Sequence, residues 1–142
     1  MKLRTVLRSA AAAAVVLGGS LAVTSSPAQA AWTCQAGYVC FYENANLTGS
    51  VAVLPELSMS SPSWPGQAAD FRNYSYYNGH NLNDSVSSVI NRTNRTLWVY
   101  EHGNFNQSKR GRYNGIGAGQ AFNFGHDEEL QDNRASSARF YE

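Results

Sequence analysis

Cysteine and histidine are scarce in this chain of 142 residues, and their scarcity closes off most chemistry. The cysteines are Cys34 and Cys40; the histidines are His80, His102 and His126, each isolated in sequence. No His-Glu-x-x-His zinc motif is present, and no Gly-x-Ser-x-Gly elbow presents a nucleophilic serine. Two thiols cannot build a zinc site without histidines beside them. The cluster His126-Asp127-Glu128-Glu129 holds ligand types, but adjacent side chains point different ways, so it reads as an exposed charged turn. Positive charge is also thin. Setting aside Lys2, Arg4 and Arg8 leaves 8 basic residues against 10 acidic ones, a net of −2. No basic patch remains to argue for nucleic acid or an anionic membrane as partner. After residue 30 there is no apolar run long enough to span a bilayer and no sustained 3.6-residue apolar period. What is left is a protein built from strands that acts by binding, not an enzyme.

The first thirty residues read as a secretory signal. Lys2, Arg4 and Arg8 give a positive start, Ala10 to Val23 is a short apolar run, and Ala28-Gln29-Ala30 is a small-x-small cleavage site. The expected mature chain is 31–142, secreted and free of the membrane once the signal is cut. Its length suits one domain with a modest core. All 17 aromatic residues fall within it. In a secreted chain Cys34 and Cys40 most simply pair. That bond would pin the N-terminus to the first strand and leave no free thiol as a nucleophile.

Strand signals are short and frequent. Tyr38, Cys40 and Tyr42 alternate with Val39, Phe41 and Glu43. Val51 and Val53 follow Gly49. Val86, Ser88 and Ile90 keep a period of two. Leu97-Trp98-Val99-Tyr100 is apolar on both faces. Phe122 with Phe124, and Ala138 with Phe140, close the series. Asn, Gly, Ser and Pro separate these runs, which predicts an all-β sandwich or barrel. Ala68-Ala69-Asp70-Phe71 and Glu128-Glu129-Leu130 have room for one helical turn each.

The chain also repeats itself. Asn83-Asp84-Ser85-Val86-Ser87-Ser88 and Asp132-Asn133-Arg134-Ala135-Ser136-Ser137 share the pattern Asx-Asx-x-x-Ser-Ser. Each follows a second duplicated segment, Tyr42-Glu43-Asn44-Ala45-Asn46-Leu47-Thr48-Gly49 and Tyr100-Glu101-His102-Gly103-Asn104-Phe105-Asn106-Gln107. The order A-B-A′-B′ is an internal duplication. Asx and Ser side chains beside free carbonyls are oxygen ligands of the kind a hard cation such as calcium takes. The same residues also suit hydrogen-bonded Asx and Ser turns that need no metal.

Taken together, these motifs resemble the βγ-crystallin domain. More narrowly, Gly37-Tyr38-Val39-Cys40-Phe41-Tyr42-Glu43-Asn44 and Trp98-Val99-Tyr100-Glu101-His102 resemble secreted bacterial relatives in the metalloproteinase-inhibitor family. The resemblance runs from about Cys34 to the end. It implies two Greek keys forming a sandwich of about eight strands, monomeric, with a folded hairpin at each aromatic-to-glycine segment. Gly49 fits the strained hairpin position. Gln107 stands there in the second copy, so that hairpin is either looser or takes its strain at Gly103.

The resemblance implies two calcium sites, each pairing one Asx-Ser loop with the hairpin of the other key. The first set is Asn83, Asp84, Ser85 and Ser87 with Glu101. The second is Asp132, Asn133, Arg134 and Ser136 with Glu43. Arg134 and Ser85 would offer only their carbonyls. With so few carboxylates, affinity falls in the weak range of extracellular modules, on the order of 10⁻⁵ to 10⁻³ M. The resemblance also implies an extracellular protease as partner. Inhibitory relatives hold their reactive loop with a second disulfide, and this chain has no cysteine after Cys40. Its surplus loop is Ser58 to Gln67, where Pro62, Ser63, Trp64 and Pro65 make the candidate contact. Trp64 is either an exposed anchor there or folds back on the core. Sugar binding through Trp64, Tyr74, Tyr76 and Tyr77 is a further class, set against their simply filling the core.

Overall fold

The computed structural model describes residues 32–125 and 129–141. The signal-like segment 1–30 and the charged run 126–128 lie outside them. Eight strands form two four-stranded sheets, each antiparallel throughout. They are β1 (Val39–Asn44), β2 (Thr48–Val53), β3 (Gln67–Ala68), β4 (Ser88–Asn91), β5 (Leu97–Tyr100), β6 (Tyr113–Ile116), β7 (Ala121–Asn123) and β8 (Ser137–Phe140). The first sheet runs β2-β1-β4-β7 and the second β3-β8-β5-β6. Each sheet therefore borrows one edge strand, β7 or β3, from the other half of the chain. This is the two-Greek-key sandwich that the duplication predicts.

Alternation along the strands builds the core. Val39 and Phe41 of β1, Val89 of β4, Leu97 and Val99 of β5, and Ala138 and Phe140 of β8 point inward and are buried. Phe41 meets Phe71 edge to face, with ring centroids 5.2 Å apart. Phe71 opens a 3-10 turn, Phe71–Asn73, capped by Asp70, whose carboxylate accepts from the Arg72 N–H at 2.9 Å. The helical turn read from Ala68 to Phe71 is thus displaced by a few residues, because Ala68 is already committed to β3. The buried Asn91 closes one end of the sandwich: its Nδ2 donates to the carbonyls of Arg95 at 2.7 Å and Ile116 at 2.9 Å.

The outer faces of the two sheets differ. On the first, Cys40, Tyr42 and Val51 form a second buried cluster with Cys34. The Cys34–Cys40 disulfide is present and lays the N-terminal segment over that face. The Tyr42 hydroxyl donates to the Trp32 carbonyl at 3.3 Å. On the second sheet the equivalent positions are Trp98 and Tyr100, and their neighbours Tyr113 and Tyr141 are exposed.

The two hairpins reach one fold by different backbones. In the first, Asn46, Leu47 and Gly49 have positive φ, and a Cβ on Gly49 would meet the Asn44 amide at 2.6 Å. Glycine is required there on both counts. The second hairpin does not take its strain at Gly103, whose φ is −56°. Asn104, Phe105 and Asn106 take the left-handed conformation in succession, with φ of 52°, 58° and 61°. Asn tolerates this region well. The Asn106 side chain then ties the hairpin, accepting from the His102 N–H at 2.9 Å and donating to the Arg112 carbonyl at 3.0 Å.

Candidate functional site

The two Asx-Ser loops lie against each other and exchange backbone hydrogen bonds. Asp84 N–H donates to the Ala135 carbonyl at 2.9 Å, and Asn133 N–H donates to the Val86 carbonyl at 3.2 Å. The donors are the second residue of each motif and the acceptors the fourth. Asp84 and Asn133 share nearly the same left-handed φ, 54° and 55°. The duplication in sequence is therefore a local two-fold in space.

The last two serines of each motif divide their work. Ser88 and Ser137, both fully buried, clasp the hairpin of their own key. Ser88 Oγ donates to the Asn44 carbonyl at 2.6 Å and accepts from the Leu47 N–H at 3.0 Å. Ser137 Oγ donates to the His102 carbonyl at 2.7 Å and accepts from the Phe105 N–H at 3.1 Å. Sequence reasoning missed this pair, although the invariance of the sixth position between the two copies was its signal. The fifth serine behaves otherwise: Ser136 Oγ donates to Asp84 Oδ1 at 3.0 Å, across the two-fold.

A cleft of about 340 Å³ opens where Asn83, Asp84, Glu101, Arg134 and Ser136 converge, with Asp70, Arg72, His102 and Gly103 at its rim. It brings Asn83, Asp84 and Glu101 together as grouped from the sequence. Ser136 and Arg134, grouped with Asp132, Asn133 and Glu43, line this cleft instead. Ser87 is absent from its lining. Ser85 sits below: its carbonyl accepts from the Tyr76 hydroxyl at 2.9 Å, while its own hydroxyl donates to the Asn81 and Leu82 carbonyls.

The electrostatics of the cleft are mixed. Asp84 accepts from the Asn83 amide at 2.7 Å through its other oxygen, and Glu101 Oε2 accepts from the Arg112 N–H at 2.8 Å. Asp70 is held below the usual carboxylate range by the hydrogen bonds and charge of Arg72, the closest contact being 2.6 Å. Among the described residues no cluster of three His, Cys, Asp or Glu side chains is placed to hold a metal. The donor set is instead two carboxylates, an amide oxygen and a hydroxyl, which fits a hard, oxygen-seeking cation and no soft one.

The other half of the two-fold is organised differently. Glu43 accepts from His80 Nδ1 at 2.6 Å and from Asn78 Nδ2 at 2.9 Å. These bonds, the histidine's first, hold its pKa below the ordinary value despite some desolvation. Tyr76 lies beneath, with its pKa pushed up to about 12, mainly by burial and further by the charges of Glu43 and Asp132. Glu43 and Asp132 therefore face one region, but Glu43 is already engaged.

The candidate contact loop is held at both ends. Met59 N–H donates to the Gly37 carbonyl at 2.8 Å, and Gly37 N–H donates to the Arg92 carbonyl at 2.8 Å. At the far end Trp64 folds back, half-buried, onto Phe140 with ring centroids 4.5 Å apart. Pro62, Ser63 and Pro65 are exposed. The aromatic group read as a sugar surface disperses: Tyr76 is buried, Tyr74 and Trp64 pack on the core, and Tyr77 alone is exposed. Burial of large rings overrides their proximity in sequence.

A double Greek key with paired Asx-Ser loops defines a βγ-crystallin-type domain, and comparison with solved structures gives the same class. A structure from work on the evolution of the eye lens beta-gamma-crystallin domain fold aligns with TM-score 0.52 at 20% identity, covering 78% of this chain and 90% of that one. A beta gamma crystallin from Ciona intestinalis aligns at 0.49 and 19% identity, covering 74% and 100%. A clostrillin double mutant in complex with nickel aligns at 0.47 and 21%, covering 74% and 98%. At such identities the likeness is one of fold. The curated proteins give no match. The model of peptidase inhibitor family I36 matches residues 27–111, well over half the chain, and the protein belongs to that family.

Proposed function

We propose that the protein is a secreted binding protein that inhibits an extracellular metallopeptidase by occupying its cleft, without catalysis of its own. The family match over residues 27–111 carries this reading. The segment Ser58 to Gln67 is the contact. Inhibitory loops must be presented stiffly, since ordering a floppy segment costs affinity. Here the tether to Gly37 and the packing of Trp64 on Phe140 supply the stiffness that a second disulfide gives elsewhere. Pro62, Ser63 and Pro65 then meet the peptidase, with Trp64 as the loop's anchor. Calcium is a structural ligand in this proposal. Asn83, Asp84, Glu101 and Ser136, with the Arg134 carbonyl, would hold one ion, and Asp132, Asn133, Ser87 and Glu43 a second, weaker one. Bound there, it would lock the two loops together.

The test is residual activity of several metallo- and serine peptidases with micromolar protein. Inhibition lost on replacing residues 58–67 supports both the function and the loop. Inhibition that survives the replacement keeps the function and rejects the loop. No inhibition of any peptidase favours the second reading, a calcium-binding structural or envelope-associated domain.

A further inference from the structure

The outer face of the second sheet has a construction that peptidase inhibition does not use. Trp98 of β5 has Gly115 of β6 as its register partner. The indole lies against Gly115, where a Cβ would stand 3.6 Å from it, in ordinary van der Waals contact. Tyr113 stands on one side of the indole, 5.2 Å between centroids and tilted 48°. Tyr141 stands on the other, 5.9 Å away and also tilted 48°. The result is a shallow cradle with an aromatic floor and two aromatic walls. Both walls are exposed, at 54% and 68%. On the first sheet the matching face is covered by the disulfide-bound N-terminal segment. On this face of the second sheet Tyr100 lies buried under Phe105 and Arg139, Trp98 is half-buried, and Tyr113 and Tyr141 stay open to solvent.

Two guanidinium groups edge the cradle. Arg139 is the register partner of Trp98 on β8. Its guanidinium stacks over the rings of Phe105 at 4.9 Å and Tyr100 at 5.6 Å, and its Nε donates to the Tyr100 hydroxyl at 3.2 Å. That fixes its orientation and leaves its terminal nitrogens available. Arg95 reaches the Tyr141 carbonyl at 3.5 Å. Neither arginine forms a salt bridge with a described carboxylate. Gln67 lies across from Arg139 on β3 and is exposed.

We propose that this face binds an acidic glycan, a polysaccharide whose pyranose rings carry carboxylates. The apolar C–H face of a sugar ring packs on an aromatic face, whose quadrupole is negative. A carboxylate on that ring finds a planar, pre-oriented guanidinium. Charge complementarity selects an anionic ligand over a neutral one. A polyphosphate is disfavoured, because its affinity scales with the number of charges neutralised. Here two arginines edge one cradle on a chain with an acidic excess beyond residue 30. Single-stranded nucleic acid needs a basic track along the strand as well as stacking rings.

Native affinity electrophoresis of the full protein tests this, with polygalacturonate, neutral dextran or oligodeoxythymidylate cast in the gel. Polygalacturonate should retard the protein and dextran should not. Arg95→Gln and Tyr141→Ala change exposed side chains and should each weaken retardation about tenfold, the loss of one good contact. Their melting temperatures should match wild type, which separates lost binding from lost fold. Absence of retardation, equal retardation by dextran, retention of binding in both variants, or tighter binding to oligodeoxythymidylate would each overturn the proposal. The peptidase assay is independent of all four results.

Discussion

Ser88 and Ser137 show how a single side chain can hold a backbone that is otherwise unfavourable. Each hydroxyl bridges a carbonyl and an N–H of a hairpin containing bulky residues at positive φ, Leu47 in one case and Phe105 in the other. Such residues avoid that region unless the surroundings fix them. Removing the hydroxyl leaves a carbonyl and an N–H, part-buried or buried, without their partner, so Ser88→Ala and Ser137→Ala should each cost about 1–3 kcal/mol in urea unfolding. A loss below a few tenths would mean the hairpins hold themselves. Tyr76 makes a second prediction at this scale. Its folded pKa of about 12 lies above the unfolded value of about 10. Its contribution is thus full below pH 10 and is lost as pH rises toward 12. The loss should be about 2–3 kcal/mol by linkage. Tyr76→Phe should flatten the alkaline limb of the stability profile; an unchanged limb would refute the assignment. Asp and Ser ligand types were legible in the sequence. Which serine bonds which aspartate was not, because that depends on how two loops pack.

At the scale of elements, the sequence pattern located six of the strands and missed β3 and β6. β3 is two residues long and pairs only with β8, too short for periodicity to register. β6 reads Tyr-Asn-Gly-Ile, and its glycine and asparagine look like a turn. Both positions are placed only in the fold: Asn114 Oδ1 accepts from the buried Leu130 N–H at 2.7 Å, and Gly115 lies against Trp98. The long loop was legible from its prolines, but the inward turn of Trp64 was not, since Phe140 lies 76 positions away in sequence. Trp64→Ala should therefore act first on stability, lowering it by about 2 kcal/mol or more as a large cavity forms. If inhibition is lost while stability is unchanged, Trp64 is a direct contact and not an anchor. The disulfide closes a short loop, so Cys34→Ser with Cys40→Ser should cost only about 1–3 kcal/mol. Loss of folding altogether would mean that covering the first sheet's outer face matters more than loop closure.

At the scale of the whole molecule, the duplication in sequence becomes a two-fold whose halves are not equivalent. Both loops share their backbone, so the pattern announced the fold clearly. The side chains added around them differ: Glu101 opens on a cleft, whereas Glu43 is held by His80 and Asn78. If calcium binds, the cleft site should fill first and the Glu43 site only once those bonds are displaced. A ligand at a hundredfold excess over its dissociation constant stabilises the fold by about 2.7 kcal/mol. For a domain of this size that is a rise of about 10 °C in melting temperature. Asp84→Ala should abolish most of the rise, and Asp132→Ala a smaller part. The crossed grouping makes a sharper statement. Ser136 bonds Asp84 and not Asp132, so the calcium-dependent increments of Asp84→Ala and Ser136→Ala should be strongly non-additive. Those of Asp132→Ala and Ser136→Ala should simply add. Coupling of Ser136 to Asp132 instead would restore the grouping by sequence motif. A melting curve unmoved by millimolar calcium would leave both loops as hydrogen-bonded turns, with the two-fold serving the fold alone.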